Sequence, residues 1–465
     1  MLMKLYIPIV LCLICVLLLI CAGVSPARSQ TAGEVTILSP RLKRLKSELE
    51  KQGPTVLDSF WREIAVQSTP LVEPVDSSDK YAYVTFLWKG DNETKNVVVL
   101  TSGNSQLGNA EYFPDAQLSN LRGTNVWFKT YRMRSDARFG YRMAQNDSLD
   151  VLKDFKLDPK RAAAFKPDPL NNRHYTGFLG ETSVVELGNA PPQIWINRMP
   201  GVPEGKVEKL PFKSRILNND RTIWVYAPAG YSNSRPDNNL LIKLGGDIQG
   251  VPIPTILDNL IAKGKLPPTV AVAVDWGPGG VTTERWHNDK FNDFVAQELI
   301  PWVRKNYRVT AKANRTFLTG ASLSANTAVY LGIEHPEIFG NVMAQSGGFT
   351  YRQRQNTPRP PLAGDLFEED FPESEWLIRQ IVARPKMPMR FYLEIGLMEE
   401  VVWREVPSRY AFPSLVSSTR HLRDVLQAKG YEVFYNEYNG AHEDLSWRGT
   451  YGEGLIALAE GKRAK

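Results

Sequence analysis

The chain has 465 residues, 43% of them hydrophobic, with 56 basic against 50 acidic side chains and a formal charge of +6. That length exceeds what a single hydrophobic core usually fills, so two globular domains are expected. The balance of charge is too even for a partner such as nucleic acid.

The first thirty residues stand apart. Leu5 to Val24 is almost wholly apolar after Lys4 and leads into Ser25-Pro26-Ala27-Arg28-Ser29, the layout of a secretory signal cleaved near residues 27 to 30. A periplasmic or secreted location is therefore expected. The apolar stretch is also long enough to span a bilayer, so an uncleaved N-terminal anchor is the alternative, and the only membrane association expected. Cys12, Cys15 and Cys21 are the three cysteines, and all lie in this segment. Cleavage leaves no disulfide, thiolate metal site or cysteine nucleophile, and removal of Lys4 and Arg28 leaves 54 basic against 50 acidic residues.

Residues 31–54 read as a helical linker, because Lys43 to Lys51 mixes charges at helical spacing and suits a solvated helix. Strand-sized runs separated by turn residues follow, up to about residue 165, within a first domain placed at 55–190. Pro191-Pro192 and Pro200 to Pro203 mark a linker over 191–212. From Arg221-Thr-Ile-Trp-Val-Tyr226 onward strands alternate with helices, which predicts a mostly parallel sheet covered by helices over 213–460. No internal repeat is present.

Within that second domain, the strand Thr316-Phe-Leu-Thr319 runs through Gly320-Ala-Ser-Leu-Ser324 into apolar residues at helical spacing down to Phe339. A serine on a sharp strand-to-helix turn, with small residues two positions to either side, is where an α/β-hydrolase carries its nucleophile, which makes Ser322 the candidate. The chain order in that fold is serine, acid, histidine. Of five histidines only His335, His421 and His442 follow Ser322. His335 sits at a helix exit marked by Pro336, and His421 on an amphipathic helix ended by Gly430. His442 follows the strand Glu432–Tyr438 and the turn Asn439-Gly440-Ala441, on a loop at a strand's carboxyl end, where parallel sheets hold their chemistry. The acid is expected after the preceding strand, Met389–Ile395, where Glu399 and Glu400 both qualify by position.

These residues resemble the enterochelin (enterobactin) esterase family, α/β-hydrolases that open the esters of catecholate siderophores built on serine trilactones. The most specific match is His442-Glu-Asp-Leu-Ser-Trp447-Arg448-Gly449. Gln345-Ser-Gly347 is similar to the strand end after the family's nucleophile helix, and Leu393-Glu-Ile-Gly396-Leu-Met-Glu399 to its acid-bearing loop, which favours Glu399 over Glu400. Leu266-Pro-Pro268, Glu284, Asn288 and Glu298-Leu-Ile-Pro301 fit as well. Upstream, Thr85–Trp88, Gly123–Trp127, Arg138–Tyr141 and Asp168-Pro-Leu-Asn171 look like parts of the family's N-terminal β-sandwich. The resemblance spans most of residues 55 to 455. It implies an α/β-hydrolase catalytic domain preceded by an all-β, Ig-like sandwich.

The chemistry expected is that of a serine esterase in which Ser322 attacks, His442 acts as general base and then acid, and Glu399 orients His442, with no cofactor or metal. Oxyanion donors are expected from the N–H of Leu323 and from the loop after Leu240–Leu244, where Gly246 and Asp247 follow Gly245. The expected partner is a small ester, a ferric catecholate siderophore by resemblance. Such an anion needs cations and aromatic faces, for which Arg448, Trp447, Arg404, Trp403, Arg285 and Trp286 are the candidates. A feruloyl or acetyl esterase acting on polysaccharide is the alternative enzyme. A catalytically silent relative that binds carbohydrate or siderophore is the alternative from another class.

Overall fold

The computed structural model describes residues 35–461 apart from 77, 102–115, 151–158, 178–179, 233–237, 247, 249, 278–287, 350–374, 401–402, 405–410 and 413. Two helices come first, α1 (Pro40–Gln52) and α2 (Val56–Gln67). The Ser39 hydroxyl accepts from the Leu42 N–H at the start of α1, and Pro40 occupies the first turn, where a missing N–H costs nothing. Leu42 and Leu45 of α1 meet Phe60, Trp61 and Ile64 of α2 over Leu71, Leu87 and Phe128. The expected helix is therefore present with a buried stripe rather than solvated all round. The second helix falls inside the 55–190 region expected to be strands, because Phe60, Trp61 and Ile64 cover one helical face.

The strands that follow are β1 (Leu71–Val75), β2 (Ser78–Lys89), β3 (Val97–Thr101), β4 (Ser119–Asn120), β5 (Val126–Arg134) and β6 (Arg138–Gln145), then helix α3 (Pro159–Ala164), β7 (His174–Gly177) and β8 (Gly180–Glu186). They form two four-stranded antiparallel sheets in the orders β1-β2-β5-β4 and β3-β6-β8-β7. Alternate residues from both sheets share one core: Val84 and Phe86, Val97 and Val99, Phe139, Tyr141 and Met143. Beneath it, the buried Asp168 carboxylate accepts the hydroxyls of Thr69 and Tyr141, each at 2.7 Å.

One strand begins inside the segment expected as a linker. Starting within 191–212, β9 (Lys206–Ser214) pairs along its whole length with β10 (Asn219–Ala227) as the sheet's edge. Its charged residues and Pro211 suit an edge and hide the strand pattern. With β11 (Asn239–Leu244), β12 (Thr269–Val274), β13 (Thr316–Ala321), β14 (Asn341–Gln345), β15 (Arg390–Gly396) and β18 (Glu432–Tyr438) they make an eight-stranded sheet ordered β18-β15-β14-β13-β11-β12-β10-β9. Two residue pairs, β16 (Trp403–Arg404) and β17 (Ala411–Phe412), form a separate ribbon. Strand β10 runs antiparallel to both neighbours, and β12, β11, β13, β14, β15 and β18 are mutually parallel.

The central strands β11 to β15 are buried on both faces and so read as near-continuous apolar runs. Ile242, Val272, Leu318, Val342 and Leu393 face one core, and Leu241, Ala271, Phe317, Met343 and Tyr392 the other. The helices are α4 (Ile253–Ala262), α5 (Asp289–Asp293) continuing through a π segment (Phe294–Leu299) into α6 (Ile300–Asn306), α7 (Leu323–Glu334), α8 (Trp376–Ala383), α9 (Leu415–Ala428) and α10 (Asp444–Glu460). Helix α7 ends at Glu334 rather than reaching Phe339, since Pro336 cannot continue it. Among the described residues no helix is long and apolar enough to cross a membrane, and Leu5 to Val24 lie outside them.

Candidate active site

Three chain segments converge at the carboxyl ends of β13, β15 and β18. Ser322 sits between β13 and α7 with φ 57° and ψ −126°, a conformation that costs a non-glycine residue on the order of 1–3 kcal/mol. The turn is held by Ser322 N–H donating to Gln345 O at 2.9 Å and Ala325 N–H to Ser322 O at 3.0 Å. A Cβ at position 320 would lie 2.2 Å from the Ser324 carbonyl oxygen, so Gly320 is required by contact. The same closeness explains Ser324. Its own Cβ faces a glycine, so only one of the two flanking positions has to be bare.

His442 Nε2 lies 2.8 Å from Ser322 Oγ, and His442 Nδ1 lies 2.6 Å from Glu399 Oε2. A carboxylate only accepts, so Nδ1 carries the proton and Nε2 presents its lone pair to the serine hydroxyl. The Glu399 side chain is fully buried and that of His442 is 14% exposed. The second oxygen, Oε1, accepts Ser346 Oγ–H at 2.7 Å and Gly396 N–H at 3.0 Å, which fixes the carboxylate plane. Glu400 is exposed, on the short helical turn's far side of Glu399 in sequence. Geometry thus separates two glutamates that position in the chain left equivalent.

Sequence reasoning matched Ser346 to a strand end and gave it no task. Besides holding Glu399, Ser346 Oγ accepts Trp447 Nε1–H at 2.9 Å, and the Trp447 ring stands edge-on to His442 with centroids 5.1 Å apart. Trp447, expected to offer an aromatic face to substrate, is instead 4% exposed and backs the imidazole. Glu394, on β15 opposite Gln345, is fully buried, and its Oε1 accepts from Gln345 Nε2 at 2.6 Å and Thr450 Oγ at 2.7 Å. Burial pushes its carboxyl up to about 7, the Glu399 charge acts in the same direction, and these hydrogen bonds act against both.

Leu323 is the first residue of α7, where backbone N–H groups lack helical partners. The opposite loop has Gly245 at φ 81° and Gly246 at φ 71°, a turn that side chains would strain. A Cβ on Gly245 would meet the Trp276 indole at 2.1 Å, so Trp276 covers that glycine. Lys243 Nζ donates to the Gly245 carbonyl. Asp247 lies outside the described residues.

The expected cations divide in the same way. Arg448 donates from Nε to Gln193 Oε1 at 2.9 Å and its guanidinium stacks 4.4 Å from the Tyr175 ring centre, so it ties α10 to the N-terminal region. Trp403 and Arg404 form β16, and only their backbone is described. Arg285, Glu284 and Trp286 lie outside the described residues, while Asn288 caps α5 by accepting Phe291 N–H at 3.1 Å. Among the described residues no group of His, Cys, Asp or Glu is arranged to hold a metal ion.

Comparison with known proteins adds family to geometry. A putative-esterase family profile matches residues 214–458, and a profile for the N-terminal region of enterochelin esterases matches residues 83–196. Iron(III) enterobactin esterase of Escherichia coli K12 is 27% identical over 413 residues, covering 82% of this chain and 92% of that protein. Two solved structures share the fold. Ferric enterobactin esterase from Salmonella typhimurium has a TM-score of 0.66 at 23% identity, covering 87% of this chain and 98% of its own. The enterobactin esterase of Shigella flexneri, solved in the presence of enterobactin, has a TM-score of 0.63 at 24% identity, covering 85% and 97%. The C-terminal region is accordingly an esterase domain of α/β-hydrolase type.

Proposed function

The chain belongs to the enterochelin esterase family, and from that premise we propose that it hydrolyses the ester bonds of a catecholate siderophore such as ferric enterobactin, with Ser322 as nucleophile. The observation that carries this reading is the unbroken hydrogen-bonded run from Ser322 Oγ through His442 to a buried Glu399. Ser322 Oγ adds to the ester carbonyl while His442 Nε2 takes its proton, and Glu399 stabilises the resulting imidazolium. The negative oxygen is received by backbone N–H groups of Leu323 and the Gly246 to Asp247 loop. Collapse expels the serine alkoxide of the lactone, which takes the proton from His442. Water then adds to the acyl-enzyme, His442 again accepts the proton, and the free acid leaves as Ser322 regains its hydrogen. Iron enters only as part of the substrate.

Arg404 and Arg285 are the cations we assign to the anionic catecholate, with Trp403 as an aromatic face. Arg448 and Trp447 then support the site from behind. The paired antiparallel sheets read as an Ig-like β-sandwich with α1 and α2 packed on it, and the esterase domain begins at Lys206. The leader-like segment Leu5 to Val24 supports a periplasmic or secreted location, with an uncleaved anchor as the alternative. The deciding experiment compares kcat/KM on enterobactin with that on a feruloylated sugar. A preference for enterobactin of at least about tenfold is expected, and the reverse preference would assign the chain to polysaccharide esters.

A further inference from the structure

The loop that carries His442 is held from outside the esterase sheet. Over Arg138–Tyr141, strand β6 pairs with β8 along one edge, whereas β3 pairs with it only from Tyr141 onward. The N–H groups of Arg138 and Gly140 point to the edge that β3 does not reach, and the catalytic loop occupies it. Arg138 N–H donates to Asn439 O at 3.0 Å, and Arg138 and Gly440 form a parallel bridge. Asn439 Nδ2 donates to Asp136 Oδ1 at 3.0 Å, and Gly140 N–H donates to Glu443 Oε1 at 2.7 Å. The Glu443 carboxylate, 4% exposed, takes the place a strand carbonyl would have.

Packing reinforces these bonds. Ala441 and Met398 belong to the core built by Val84, Phe86, Phe139 and Tyr141 of the two antiparallel sheets. Ala441 precedes His442 and Met398 precedes Glu399, so the neighbours of both residues that activate Ser322 are embedded in the N-terminal core. Met398 N–H also donates to Gly440 O at 3.2 Å, which links the two segments directly.

We propose that the start of β6 is a clamp that sets the position of His442 against Ser322, with Glu443 and Asn439 as positioning residues. Activity on even a small ester, too short to touch the N-terminal sheets, then depends on these contacts. Loosening the loop displaces the imidazole from the serine, and a misplacement of about 1 Å costs on the order of a hundredfold in rate. The clamp presupposes that His442 is the base, as proposed above.

The test uses the full chain and p-nitrophenyl acetate, with active sites counted by burst and a fluorophosphonate inactivation rate as second readout. Glu443→Ala and Asn439→Ala should each lower kcat per active site by about tenfold or more, with KM changed by less than about twofold and inactivation slowed in parallel. Glu443→Gln, whose amide oxygen accepts the same N–H, should restore most of the rate. Adding Asp136→Ala to Asn439→Ala should cost little more, because both remove one interaction. Folded variants whose kcat per active site stays within about twofold of the parent would overturn the clamp, and if Glu443→Ala does not fold, the Asp136 and Asn439 variants decide alone. A parent chain that fluorophosphonate does not label would instead overturn the reading of the Ser322 and His442 pair, and the clamp's catalytic role with it.

Discussion

Glu394→Gln isolates a buried acid that the reaction itself does not use. The Glu394 carboxyl ordinarily titrates near 4.5 and in the fold is pushed up to about 7, chiefly by burial. The folded state therefore holds a proton that the unfolded chain has released, and stability falls as pH rises from the unfolded value through the folded one. Between pH 5 and pH 8 this single group should remove about 2.5 kcal/mol of stability, from the linkage relation applied to those two values. Glutamine keeps an oxygen for Gln345 Nε2 and Thr450 Oγ and does not titrate. Urea unfolding of both proteins should accordingly show the variant gaining on the parent by about that amount over this pH interval, whatever their difference at pH 5. A difference that stays constant to within about 0.5 kcal/mol would refute the assignment of Glu394 as neutral when folded.

Two further outcomes follow from the site. Glu399→Gln should lower kcat on any ester far more than Glu400→Gln, since only Glu399 reaches His442 Nδ1, and steady-state kinetics on p-nitrophenyl acetate checks this. Similar mild losses in both would point to a serine–histidine pair without an acid. Arg404→Ala should raise KM for enterobactin several-fold and leave the small ester unchanged, and parent binding of enterobactin should weaken with added salt. Equal losses on both substrates would make Arg404 a support of the fold.

The sharp turn at Ser322 is legible because its signal is local: Gly320, Ser322 and Ser324 encode it within five residues. The pairing of His442 with Ser322 is legible from chain order and elimination among five histidines, together with its place after a strand. The choice of Glu399 needed the family resemblance, because the discriminating fact is three-dimensional: Ser346 and Gly396 grip the Glu399 carboxylate. Ser346 adopts φ 51° at the end of β14, a strain that no composition rule announces. By residue type Trp447 suits a substrate face or a buried support equally, and its burial and its bond to Ser346 tell them apart. Strand β9 was hidden by Lys206, Glu208, Lys209 and Pro211, residues that belong to an edge and mimic a linker. The hold of β6 on the His442 loop joins residues about three hundred apart in the chain, beyond the reach of any local pattern.

The most direct test of the account is an acid-quenched, single-turnover reaction of the full chain with enterobactin, read by intact-mass and peptide mass spectrometry. Opening one ester of the trilactone leaves the departing alcohol tethered to the acyl group. The account therefore predicts an adduct of one whole enterobactin on the peptide containing Ser322, decaying to a linear product heavier by one water and absent in Ser322→Ala. Undiminished hydrolysis by Ser322→Ala, or an enterobactin left intact by a chain that readily cleaves feruloyl esters, would contradict it.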